Sequence, residues 1–337
     1  MSPAKSHPLI RQDWIHVGEG HQLFLAQYGD PQGIPVLYLH GGPGAGCNPQ
    51  ELRLFIDRGF HIYLLDQRAA GRSKPCGEVA NNDFPSLVKD IERVRHWAGV
   101  EAWCLLGGSF GATLGYLYSC IYPERVLSQI YWGMFIPSDE GMQWLYGRGG
   151  AAQIFSSQYR EFAAGNGDTL DSLFSHFTDS FNHPDPEVRR QSVMRWLGWE
   201  LALAVPGFEL SEALAEQGGA LARVELHYAR NDYFGGYQLM KRVGGDLTCP
   251  TIILQGELDW VCPQRLVDEF LEHHGPELLR SRLVKGGYHT LADDKMCRAV
   301  AEAVTQMGRY LATGRSPNLV STHGGVDEES KRVTSNS

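Results

Sequence analysis

Short apolar, β-branched runs that stop at glycine or turn residues recur along the chain, at residues 36–39, 61–65, 102–106, 126–132, 251–254 and 282–284. Between several of them lie stretches of helical period, notably residues 84–97 and 111–122. Strands so short and so continuously apolar are covered on both sides, and their alternation with helices predicts a mostly parallel α/β sheet with helices on both faces. The alternation stops after Trp132. Residues 137–243 read as helices and loops rich in Trp, Tyr, Phe and Arg, and the strand pattern resumes only near residue 251. A helical block placed between two strands predicts an inserted cap. The expected division is therefore 1–136 and 244–313 for the two parts of the core, 137–243 for the cap, and 314–337 for a polar, aperiodic tail expected to be disordered.

Composition narrows the function. At 337 residues and 43% hydrophobic, the chain can bury a large core without covalent or metal staples. Its 30 basic residues against 39 acidic ones give a net charge of −9, and no basic cluster exceeds two neighbours, so the electrostatic footprint of a nucleic-acid binder is missing. The seven cysteines (47, 76, 104, 120, 249, 262, 297) are odd in number and scattered without a C-x-x-C pair, which reads as reduced thiols. Residues 1–14 lack the apolar run of a signal peptide, and no stretch reaches the roughly 18–20 apolar residues of a membrane span. A cytoplasmic location without membrane contact is expected.

Gly107-Gly108-Ser109-Phe110-Gly111 follows an apolar strand and opens a helix. That is the setting of the G-x-S-x-G elbow, where small residues let the backbone turn back on itself and lift a serine hydroxyl above the sheet edge. The competing reading is a glycine-rich turn whose serine caps the helix. A nucleophilic serine needs a base, and the base needs an orienting carboxylate, which in this arrangement follow in the order Ser, Asp/Glu, His. Asp259 and His289 fill those places; Glu257, two residues nearer the strand, is the rival acid. His273 and His274 fall in a polar helical stretch, and no further ligands at metal spacing accompany them. Neither a metal nor a cofactor is expected. For the developing oxyanion, His40-Gly41-Gly42-Pro43-Gly44 after the strand at 36–39 and the residue after the serine supply backbone N–H candidates at Gly42 and Phe110. A phosphate cradle would want G-x-x-x-x-G-K-[ST] or G-x-G-x-x-G, and residues 41–46 fit neither.

These segments, with Asp66-Gln67-Arg68 and Gly71-Arg72-Ser73, resemble the proline iminopeptidases, a branch of the α/β-hydrolase superfamily, over residues 23–311. Trp196-Leu197-Gly198-Trp199-Glu200 is similar to that family's W-x-x-W-E stretch, and the segment from Ala222 to Tyr228 to its A-R-I-E-x-H-Y stretch. The resemblance implies an α/β-hydrolase fold with a helical cap, Glu200 and Glu225 holding the free α-amine of the substrate, and Phe135 walling a proline pocket. From spacing alone, the two glutamates read as ion-pair partners of Arg195, Arg223 or Arg230. The chain departs from the family pattern at Ala69-Ala70, Tyr131-Trp132, Ile136-Pro137 and Gly287-Tyr288-His289-Thr290, positions that bear on the leaving-group side and the shape of the pocket.

The expectation is a serine exopeptidase that releases N-terminal proline, or a similar small residue, from short peptides or small amides through an acyl-enzyme. An esterase or amidase acting on a small metabolite, with the two glutamates structural, is the second reading. A non-hydrolytic receptor on the same fold is the third. Oligomeric state is not fixed by the sequence.

Overall fold

A computed structural model describes residues 7–313 except 58, 206, 208, 209, 212–217, 276 and 277, so the expected tail at 314–337 lies outside the described residues. Strands β1 (Leu9–Gly18) and β2 (His21–Gly29) form an antiparallel hairpin, and β2 pairs antiparallel with β4 (Phe60–Asp66). From there β3 (Ile34–Leu39), β5 (Trp103–Gly108), β6 (Val126–Trp132), β7 (Thr251–Gly256) and β8 (Leu279–Val284) continue in parallel. The result is one eight-stranded sheet in the order β1-β2-β4-β3-β5-β6-β7-β8. The parallel part agrees with the alternation in the sequence; the hairpin was not read there.

Successive strand residues serve opposite cores. Leu37, Leu39, Tyr63, Leu65, Trp103 and Leu105 face one hydrophobic cluster, whereas Val36, Tyr38, Ile62, Leu64, Cys104 and Leu106 face the other. The first side is closed by α1 (Phe84–Ala98), α2 (Phe110–Ile121) and the helix Gln264–His274; the second by the helix Asp294–Thr313 and a 3-10 turn, Pro49–Leu54. Local sequence explains α1 well. Asp83 caps it by accepting from Ser86 N at 2.8 Å, Gly99 ends it at φ 68°, and Phe84, Leu87, Val88, Ile91 and Val94 recur on its buried face.

Between β6 and β7 stand α3 (Asp139–Tyr146), α4 (Ser156–Ala163), α5 (Leu170–Phe181), α6 (Pro186–Ala204), α7 (Gly219–Arg230) and α8 (Gly236–Val243). Their own core is aromatic. Phe162 stacks on Trp199 with centroids 5.5 Å apart, and Phe177 meets Trp196 edge-on at 5.0 Å. Because α4, α5 and α7 all pack on α6, that helix buries several sides and carries no single apolar stripe. No helix among the described residues is long and apolar enough to cross a membrane.

Candidate active site

β5 passes into α2 through Ser109, whose φ of 55° and ψ of −125° lie outside the ordinary range of a non-glycine residue. Close packing enforces that turn. A Cβ on Gly111 would sit 2.2 Å from the carbonyl oxygen of Leu39, so only glycine lets α2 start this near β3. Phe110, the first residue of α2, has a backbone N–H with no intrahelical acceptor, at the positive end of the helix dipole. Its ring is used elsewhere, stacked on Phe84 at 5.0 Å.

The glycine loop after β3 is clamped from below. Burial pushes the His40 imidazole below its ordinary pKa; the neutral ring donates from Nδ1 to Gly41 O (2.8 Å) and accepts from Gln67 N at Nε2 (3.0 Å). The Gln67 amide donates in turn to His40 O at 2.8 Å. Asp66 accepts from Cys47 N at 2.7 Å and from Arg72 N and Nε, both at 2.9 Å. The Asp66-Gln67-Arg68 and Gly71-Arg72-Ser73 segments are thus the scaffold on which Gly42 is held.

Asp259, past the end of β7, and His289, past β8, come together: His289 Nδ1 lies 2.8 Å from Asp259 Oδ2. The other oxygen of Asp259 accepts from Cys262 N at 2.8 Å and Val261 N at 3.1 Å, which orients the carboxylate. Gly133 (φ 50°) makes room, since a Cβ there would lie 2.8 Å from His289 Nδ1. Glu257 is occupied differently, accepting from Gly286 N at 2.7 Å, and His273 bonds to Glu269 O. Asp259, Cys262 and His289 present three donor atoms within 4.8 Å of one another, a metal-capable set by composition. Burial, however, pushes the Cys262 thiol well up, away from the thiolate a metal needs, and Asp259 is already committed to four hydrogen bonds, the fourth from Gln255 Nε2 at 3.1 Å.

Ser109, His289 and Gly42 line one cavity of about 970 Å³, together with Phe135, Tyr146, Glu200, Glu225 and Tyr233. Glu225 is buried, and Glu200 keeps partial exposure through the surface it shows to this cavity. The two carboxyl groups are within hydrogen-bonding reach of each other. Trp196 Nε1 donates to Glu225 Oε2 at 2.9 Å and the Tyr146 hydroxyl to Glu200 Oε1 at 3.2 Å. Desolvation raises both glutamates, Glu225 well above the usual carboxylate range with the Glu200 charge adding to it. Among the described residues neither carboxyl pairs with Arg195, Arg223 or Arg230, so the ion pairs that spacing alone suggested do not form.

Sequence reasoning missed Tyr233. Its ring lies 4.8 Å from Phe135 and it is buried beside the glutamates, held by three consecutive non-glycine residues in the left-handed region: Asp232 (φ 49°), Tyr233 (44°) and Phe234 (54°). Backbone strain of that kind, on the order of 1–2 kcal/mol per residue, is found where a side chain must be aimed.

Residues 34–295 match the family model described as alpha/beta hydrolase fold. The proline iminopeptidase of Neisseria gonorrhoeae is 33% identical over 294 residues, covering 86% of this chain and 94% of that protein. That of Arabidopsis thaliana is 33% identical over 257 residues, covering 74% and 67%. Among solved structures, proline iminopeptidase from Mycobacterium smegmatis superimposes with a TM-score of 0.56 at 18% identity over 89% of this chain and 100% of that one. An esterase from Exiguobacterium antarcticum gives 0.60 at 18% identity over 88% and 99%. At such identities the structural likeness speaks for the fold alone. Sequence likeness carries the rest, and the chain belongs to the proline iminopeptidase family of α/β hydrolases.

Proposed function

We propose that this protein is a serine aminopeptidase that releases N-terminal proline, or a similar small residue, from short peptides. The observation that carries this reading is the pair of enclosed carboxyl groups, without a cationic partner among the described residues, in the same cavity as Ser109. A chain end differs from an internal peptide by its ammonium group. Glu200 and Glu225 offer that group charge-assisted hydrogen bonds, each worth on the order of 1.5–3 kcal/mol, while Phe135 and Tyr233 flank the flat apolar ring.

With the amine so held, Ser109 Oγ attacks the carbonyl carbon and its proton passes to His289 Nε2. Asp259 fixes the imidazole with Nδ1–H toward itself and stabilises the imidazolium. The N–H groups of Gly42 and Phe110 stabilise the tetrahedral oxyanion. His289 then gives its proton to the leaving nitrogen, the C–N bond breaks, and a prolyl ester of Ser109 remains. Water, deprotonated by the same histidine, hydrolyses that ester and regenerates the hydroxyl. The insertion at 137–243 acts as a cap that keeps folded chains out of the cavity.

A pair of chromogenic substrates tests this: a prolyl anilide with a free amine, and its N-acylated counterpart or an ester without an amine. Preference for the free amine is expected. Preference for the blocked substrate or the ester would overturn the aminopeptidase reading in favour of an esterase or amidase.

A further inference from the structure

The cavity extends past Ser109 into a region that the proposed chemistry leaves unused. Asn48, Gln50, Glu51 and Arg53, together with residues 290–292, belong to its lining. All four side chains come from the 3-10 turn Pro49–Leu54 and its cap, on the side of the sheet opposite α2. The turn is firmly made. Asn48 Oδ1 accepts from Gln50 N at 3.0 Å, and Glu51 Oε2 accepts from Asn48 N at 2.9 Å, closing a capping box.

Arg53 is exposed, and its guanidinium donates to the carbonyl of Leu291, two residues past His289. Among the described residues that is its one hydrogen bond, and no carboxylate stands within ion-pair distance of it. Arg53 lines the cavity, and among the described residues no acceptor is recorded for its remaining N–H donors. The neighbouring Glu51 carboxyl is engaged with the Asn48 backbone, and burial pushes it up to about 7.

The chemistry of the leaving group gives this position a meaning, on the reading of the site proposed above. The departing nitrogen must take its proton from His289, so the leaving group lies over the loop that follows His289. Arg53 is tied to that same loop. One cavity therefore holds two carboxyls, the nucleophile, and a cation tied to the loop that follows His289. We propose that Arg53 forms a leaving-group subsite that recognises the free C-terminal carboxylate of short peptide substrates. Guanidinium matches carboxylate through paired N–H donors, and a dipeptide or tripeptide carries one close behind the scissile bond.

The test compares prolyl-glycine and prolyl-glycyl-glycine with the same peptides amidated at the C-terminus, measured by release of free proline. In the wild type the free acid is expected to exceed the amide in kcat/KM by about three- to tenfold, through KM, with the preference shrinking as salt is added, as a partly exposed ion pair requires. Arg53→Gln keeps a donor for Leu291 O while removing the charge, and Arg53→Lys keeps the charge without the fork. Read as the acid-to-amide ratio within each variant, so that any general loss cancels, the preference should vanish in Arg53→Gln and persist in weakened form in Arg53→Lys. Equal use of acid and amide by the wild type, or a preference that survives in Arg53→Gln, overturns the subsite. Failure to cleave the prolyl anilide would instead sink the underlying aminopeptidase reading, so the two failures are distinguishable.

Discussion

The carboxyl group of Glu225 lies against that of Glu200 with Trp196 and Tyr146 as their hydrogen-bond donors. Two such groups in contact, away from bulk water, hold a proton to higher pH than a free carboxyl would, and on the proposed reading an incoming ammonium must displace it. The KM for a free-amine prolyl substrate should therefore fall as pH rises through the upper titration of the pair, until the substrate amine itself loses its proton. An ester without an amine should show no such trend. The check is a pH series of KM for both substrates, and parallel curves would count against a proton held by the pair.

The same pair makes stability depend on pH. Both glutamates are raised in the folded protein, so between their unfolded value near 4.5 and the folded one the native state binds more protons, and stability falls as pH rises. Glu225→Gln reproduces the protonated form, keeps an acceptor for Trp196 and removes this penalty. Its Tm should exceed that of the wild type by an amount that grows from pH 5 to 9, at roughly 2–4 °C per kcal/mol regained, while KM for the free amine rises at least tenfold. Thermal melts across pH decide it; a Tm difference independent of pH would refute a proton held by the pair.

Ser109→Ala is expected to lower kcat by about 10³-fold or more, and to abolish the covalent adduct that the wild type forms with an organophosphate. Intact-protein mass spectrometry reads this directly. An adduct that persists in the variant would place the nucleophile elsewhere.

The two candidate acids separate cleanly. Asp259→Asn leaves the hydrogen bond to His289 but favours the wrong tautomer, and should cost about 10⁴ in kcat. Glu257→Gln touches only the bond from Gly286 N, so activity should stay within about threefold and stability should fall by about 1 kcal/mol. Similar losses of kcat in both variants would contradict the assignment.

Tyr233 gives a size test. Tyr233→Phe keeps the ring against Phe135 and should change KM less than about threefold, whereas Tyr233→Ala opens the pocket wall, with KM for prolyl substrates up about tenfold and stability down by about 3–5 kcal/mol. Larger N-terminal residues should gain in relative kcat/KM in the alanine variant. An unchanged preference across a panel of residue anilides would remove Tyr233 from the pocket.

What the sequence disclosed, it disclosed locally. The elbow around Ser109 was legible because its glycines answer contacts within one strand-turn-helix unit, and the sheet because buried parallel strands are continuously apolar. β1 was not, since as an edge strand it alternates polar residues such as Arg11, Gln12 and Asp13 with few buried ones. Tyr233 escaped because nothing in Asn231-Asp232-Tyr233-Phe234 announces three left-handed residues in a row; tertiary packing imposes them. Arg53 reaches a loop 238 positions away, a separation that no local pattern encodes.

Helix α7 touches two parts of the cavity at once. One turn before Glu225, Leu221 packs on the glycine loop so closely that a Cβ on Gly42 would lie 3.2 Å from its side chain. A single helical turn rises about 5.4 Å. On the proposed reading, with amine anchor and oxyanion loop both registered on that rigid rod, the enzyme carries a ruler one residue long: a peptide extended by even one residue before the scissile bond would overrun the mark, and counting to one would be a property of helix pitch.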